Sequence, residues 1–187
     1  MNAIRARRGA RPVVVSIAAT LLVTLSGCGD KQEKRDYAVP HSLCGMPVDS
    51  ETLTSFLPVG RKLTTKQKLS DTWGMRCEVR VDSHLVAQSS LQWLADAPNT
   101  LYFVGRQNSS KLDHRADNGR FLYSGWEGFG ETRNCTSKKL LGAHLFTAFQ
   151  MESSDHQDAD AMKRLITEYT NAAEKTDICK EGKPFPQ

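Results

Sequence analysis

Five cysteines and five histidines are the residues with the widest chemical reach in this 187-residue chain. The histidines are His41, His84, His114, His144 and His156, and they form neither an HExxH motif nor an i, i+4 couple. The helix-borne zinc site of a metallohydrolase is therefore not expected. A serine nucleophile would need a GxSxG elbow or an SxxK pair, and neither occurs; Ser124-Gly125 stands without its flanking glycine. Gly125, Gly128 and Gly130 are spaced wrongly for a phosphate loop and no Lys-Ser/Thr follows them, so they read as turn or bulge glycines of a sheet. Their aromatic neighbours Tyr123, Trp126 and Phe129 are the candidate lining of a ligand groove, although aromatics at such spacing also fill cores. The cysteines are dispersed, with no CxxC and no histidine at ligand spacing, so no metal and no cofactor is expected.

Cys28 is a different matter. Arg5, Arg7, Arg8 and Arg11 precede the thirteen-residue stretch Val13–Leu25, whose polar members are Ser16, Thr20 and Thr24. Such a segment suits the apolar core of an export signal and is short for the ~30 Å hydrocarbon layer of a membrane. It ends Leu25-Ser26-Gly27-Cys28, similar to the bacterial lipobox, in which small residues open the bond before a cysteine whose sulfur takes a diacylglycerol. Cleavage there would leave 160 residues. All four arginines of the first 27 residues would go and no acid with them, so the formal +4 of the whole chain falls to 21 bases against 21 acids. The basic character belongs to the address, and the case for a nucleic-acid partner loses its support.

With Cys28 set aside, Cys44, Cys77, Cys135 and Cys179 make an even four in an oxidising compartment. Three connectivities are open. Cys44–Cys77 with Cys135–Cys179 is favoured because each bridge ties a helix-like segment to a strand, and each loop of that size is worth roughly 4 kcal/mol.

These residues need elements to hold them. Gly29–Ser42 is polar and charge-mixed, a tether. A short helix follows Asp49 or Ser50, carrying Leu53, Phe56 and Leu57 and stopped by Pro58 and Gly60. Strands are expected at 62–69 and 75–81, the latter alternating Cys77, Val79 and Val81 with charged residues. Asp82-Ser83 then turns the chain into a partner at 85–93, with Leu85, Ala87, Ser89, Leu91 and Trp93 on one side. Leu101–Val104 is open between helix and strand, 107–120 reads as a loop, and 121–126 and 145–151 read as strands. The best helix opens at Asp158, with Met162, Leu165, Ile166, Tyr169 and Ala173 at helical spacing. Charge is uneven along the chain. Arg61–Arg80 holds Arg61, Lys62, Lys66, Lys68, Arg76 and Arg80 against Asp71 and Glu78, whereas Glu152–Asp160 holds four acids and no Lys or Arg. A basic hairpin face of this kind could meet anionic headgroups or envelope polymers. The expected class is α+β: an antiparallel sheet, a short N-terminal helix, a longer C-terminal helix packed on the sheet, and two disulfides. The expected division is 1–27 signal, 28–42 tether, 43–180 domain and 181–187 tail.

The chain resembles the small secreted lipoproteins that actinobacteria encode in large numbers. The resemblance rests on Leu25-Ser26-Gly27-Cys28, Leu43-Cys44-Gly45-Met46-Pro47-Val48-Asp49, Arg76-Cys77-Glu78-Val79, Tyr123-Ser124-Gly125 and Asp158-Ala159-Asp160-Ala161-Met162. It implies a domain anchored by lipid on the outer face of the cell membrane, without catalytic residues to transfer. A non-enzymatic domain binding an envelope protein or anionic polymer is thus expected. The alternative is a secreted hydrolase or ligand-modifying enzyme with a site near Tyr123–Gly130.

Overall fold

A computed structural model describes residues 35–70, 73–109, 112–152 and 157–185. The signal segment, Cys28, the expected tether up to residue 34, Asp71, Asp155 and His156 lie outside the described residues. The elements are β1 (Ser42–Leu43), β2 (Met46–Pro47), α1 (Ser50–Thr54), β3 (Leu63–Ser70), β4 (Gly74–Val81), β5 (His84–Leu94), α2 (Thr100–Val104), β6 (His114–Ala116), β7 (Phe121–Tyr123), β8 (Glu127–Ser137), β9 (Ala143–Met151), α3 (Ala159–Ala173) and α4 (Asp177–Glu181). Strands β3 to β9 form one seven-stranded antiparallel sheet in the order β3-β4-β5-β9-β8-β7-β6, and β1 pairs with β2 in a small separate hairpin. The class is α+β with two disulfides, Cys44–Cys77 and Cys135–Cys179.

Local chemistry explains the hairpin that begins the sheet. Asp82 and Ser83 both hold positive φ, 47° and 73°, as the tightest strand turns require. The Asp82 carboxylate also accepts the backbone N–H groups of Arg61 at 3.0 Å and Lys62 at 2.9 Å, so the same residue makes the turn and pins the run into β3. A register shift between Val79 and Arg80 rotates the start of β5, which buries Val86 and leaves Leu85 half-buried, the reverse of the expected side.

Helix α3 lies across β7, β8 and β9, and α1 packs against α3. Asp158 caps α3 by accepting from the Ala161 N–H at 2.8 Å. The buried face of the helix runs through Met162, Leu165, Ile166, Tyr169 and Ala173. Beneath it sit Gly128 and Gly130, inside β8 and not at a turn or bulge as expected. A Cβ on Gly128 would stand 2.9 Å from the Ile166 Cβ, and one on Gly130 would collide with Thr170 Oγ1. The glycines are the seat of the helix. They also explain why β8 is invisible to hydrophobic patterning: its helix-facing positions carry no side chain to alternate.

The fold takes in more chain at each end than the expected 43–180. Arg35 donates to the Leu57 carbonyl at 2.5 Å, the Asp36 N–H donates to Gly60, and Phe185 is buried beside a Trp93 indole that donates to the Lys183 carbonyl. The stretch 107–120, expected as loop, contributes the edge strand β6.

Gly130→Ala is expected to lower the stability of the oxidised protein by about 1–3 kcal/mol, read from urea denaturation, because the helix must lift to admit one methyl. A variant as stable as wild type would mean the helix is not seated on this glycine.

Candidate functional site on the open half of the sheet

The two faces of the sheet are covered unequally. On one face α3 closes the main core, where the Tyr169 hydroxyl donates to Ser89 Oγ at 3.2 Å and burial pushes the phenol up to about 12. On the other face α2 is the cover. It is a helix of five residues whose Phe103 stacks on Phe146 at 5.0 Å and meets Phe129 edge-on at 6.0 Å. That small core, completed by Val104 and Ala148, occupies the β8–β9 side. No described element crosses the same face over β3, β4 and the near side of β5.

Register fixes what this open half displays. Thr64 stands opposite Arg80, Lys66 opposite Glu78, and Lys68 opposite Arg76; Ser90 and Gln88 of β5 continue the rows from Arg76 and Glu78. Glu78 is the sole carboxylate that β3 and β4 contribute to this face. It is 5% exposed, takes an ion pair from Lys68, and takes a second from Arg80 Nη2 at 3.2 Å. The Lys68 hydrogen bond holds its carboxyl below the usual range, with Arg80 adding to it. Lys66 and Arg76, both exposed, enter no ion pair among the described residues. A depression between the sheet and the turn after α2, about 200 Å³ in volume, gathers Arg76, Ser90, Gln92, Arg106 and Gln107.

The residues proposed for a groove are separated. Tyr123 is buried on the α3 face and stacks with His114, ring centroids 5.3 Å apart; Phe129 is fully buried on the opposite face; Trp126, half-buried, borders a cleft of about 290 Å³ with Glu127, Gln150 and Glu152. There Gln150 donates to Glu127 Oε2 at 3.2 Å and to the Asn108 carbonyl at 3.0 Å. Ser124 Oγ accepts from the backbone N–H groups of Glu127 at 3.3 Å and Trp126 at 3.4 Å, which makes it a turn residue.

Patterning missed a second cluster where β8 bulges between Glu131 and Thr136. Arg120 lies over the Phe121 ring, 4.6 Å from its centroid, and bridges Glu174 at 2.5 Å and Asp117 at 3.3 Å, with Arg133 reaching Asp117 at 2.6 Å. Glu131 and His144 share a cavity of about 410 Å³ with this network. The residues are scattered in sequence and meet only through the bulge, so no linear signal points to them. Among the described residues no three His, Cys, Asp or Glu side chains converge as a metal site.

Comparison with known proteins leaves these surfaces to speak for themselves. The chain matches no protein-family model, no curated protein and no solved structure.

Burial raises the Glu131 carboxyl above its ordinary range, and the charges of His144 and Arg120 pull it only partly back. A carboxyl that holds its proton more tightly in the folded state makes that state lose stability as pH rises through its titration. Glu131→Gln abolishes this dependence. Denaturant melts across a pH series should show wild type and variant alike in acid and the variant more stable near neutrality. A difference that does not change with pH would contradict the assignment.

Proposed function

We propose that the protein is a lipid-anchored domain of the cell envelope, held by Cys28 to the outer face of the membrane, which works by binding a partner and not by catalysis. The observation that carries this reading is the open half of the sheet. It presents Lys66, Lys68, Arg76 and Arg80 around one buried carboxylate, on a surface the core does not use. Two disulfides suit a compartment outside the reducing cytoplasm. The four residues Leu25-Ser26-Gly27-Cys28 supply the lipidation chemistry. The partner is an anionic component of the envelope that meets a cationic sheet face. A hydrolase near Tyr123–Gly130 has less behind it, since Ser124 Oγ caps a turn and Tyr123 and Phe129 face opposite ways.

Cells fed a fatty-acid probe should label the wild-type chain and carry it in the membrane fraction, and Cys28→Ala should lose both. A Cys28→Ala protein that still takes up label defeats the anchor. Crosslinking in intact cells followed by capture of the anchored protein should return a partner from wild type that a Lys66→Glu, Lys68→Glu variant no longer retains.

A further inference from the structure

We infer that the partner read by the open half of the sheet is the surface of an anionic phospholipid bilayer, so that the domain lies face down on headgroups beside its own anchor; this rests on the reading of that face as the binding surface. Three observations lead there.

The first is a charge arrangement that the fold itself does not call for. Lys68 stands directly opposite Arg76 on adjacent strands. Like charges so placed repel, which is unfavourable for the sheet. Glu78 is the one carboxylate that β3 and β4 set among their four cations, and it is already engaged by two of them; Glu152 and Glu127 border the same face farther over, bonded by Gln88 and Gln150. Arg106 adds a fifth cation at the rim of the depression that holds Arg76. Such a surface has unused capacity for negative charge, and each Lys or Arg beside an anionic membrane contributes about 1 kcal/mol of attraction.

The second is apolar surface in the right place. Leu101 is 68% exposed and Tyr102 42% exposed, on the outer side of the helix that covers the rest of this same sheet face. Arg106 continues from them, its guanidinium 5.8 Å from the Tyr102 ring centroid and bonded to its hydroxyl at 3.3 Å. Leucine and tyrosine exposed next to arginine form a small interfacial anchor, an aliphatic group and an amphipathic ring with a cation to meet phosphate. A free inorganic anion or a soluble polymer would need the cations and have no use for these two side chains.

The third is distance. The described chain begins at Arg35, which bridges to Gly60 just ahead of β3, and Asp82 ties the next residues to the turn after Arg80. The polypeptide therefore joins the fold at the end of the hairpin that carries the cations. Six residues lie between Cys28 and Arg35, a span of at most about 25 Å. A lipid on Cys28 keeps this hairpin next to the bilayer.

The test uses the unlipidated chain from Gly29. Residues 33–187 form one compact unit holding both disulfides and both cores, so this chain keeps that whole unit. Flotation with vesicles of phosphatidylcholine containing phosphatidylglycerol should carry the protein at low salt, and pure phosphatidylcholine should not. Raising the salt should release it. Lys66→Gln with Arg76→Gln removes the two cations that enter no ion pair among the described residues and should weaken binding on the order of thirtyfold, about fivefold for each. Glu78→Gln should tighten it, and Leu101→Ser with Tyr102→Ser should loosen what survives at higher salt. Near-ultraviolet circular dichroism verifies that each variant stays folded. Three results overturn the inference: no flotation with the anionic vesicles, binding indifferent to Lys66 and Arg76, or retention by a soluble polyphosphate with none by vesicles. Because this chain carries no lipid, flotation can fail while Cys28 labelling succeeds, or the reverse, so the contact and the anchor stand or fall separately.

Discussion

Helix α3 can reach the sheet only because β8 offers two glycines beneath it, and most of the architecture depends on that approach. With Gly128 under Ile166 and Gly130 under Thr170, the helix comes close enough for Thr170 Oγ1 to meet Thr147 Oγ1 at 2.7 Å and for Tyr169 to reach across to Ser89 on β5. The main core then closes on a single face, with α1 leaning on α3 in place of covering sheet of its own. One long helix is the chief cover for seven strands. The second face is left with a five-residue helix, too short to span it, and the uncovered part must carry polar residues to stay soluble.

The disulfides hold what this core does not. Cys77 is fully buried on the α3 side of β4, and its bond to Cys44 draws in the β1–β2 hairpin, which is too small to be stable by itself. Cys135 sits in the bulge of β8, and its bond to Cys179 fastens α4 across it. Gly182 ends α4 in a left-handed conformation, close enough to the Thr136 carbonyl that a Cβ would stand 2.7 Å away. Each bridge thus closes a flank that packing alone leaves weak, and the sheet between them keeps its register.

What could be read from the residues depended on whether their neighbours were local. The β4 alternation, the Asp82-Ser83 turn and the α3 stripe each obey a period set by the element itself, and they appear where the sequence places them. β8 does not, because glycine replaced the apolar members of its pattern to admit the helix. β6 has three residues and takes its place from β7 alone, so no period could announce it. The groove of Tyr123, Trp126 and Phe129 dissolves for a related reason: consecutive residues of a strand face opposite ways, and the turn at Ser124–Trp126 adds a further change of direction. The cationic stretch was legible as charge, but its standing on an open face follows from how far α2 extends, which is a tertiary fact.

Lysines on an outermost strand have a familiar structural use. They discourage another chain from pairing with the exposed edge. Lys66 and Lys68 on β3 serve that purpose well enough, since β3 is exposed on both faces along almost its whole length. The explanation stops at β4. Arg76 and Arg80 lie on the second strand, where both edges are already hydrogen-bonded, to β3 on one side and to β5 on the other. Nothing there needs protection from pairing. A serine or threonine opposite Lys68 would satisfy the sheet at lower electrostatic cost, and Ser90 occupies that row one strand further in. Arg80 still has a use inside the hairpin, since it pairs with Glu78 and donates to the Ser83 carbonyl at 3.0 Å. Arg76 has none among the described residues: it faces Lys68, enters no ion pair there, and shares its depression with Arg106.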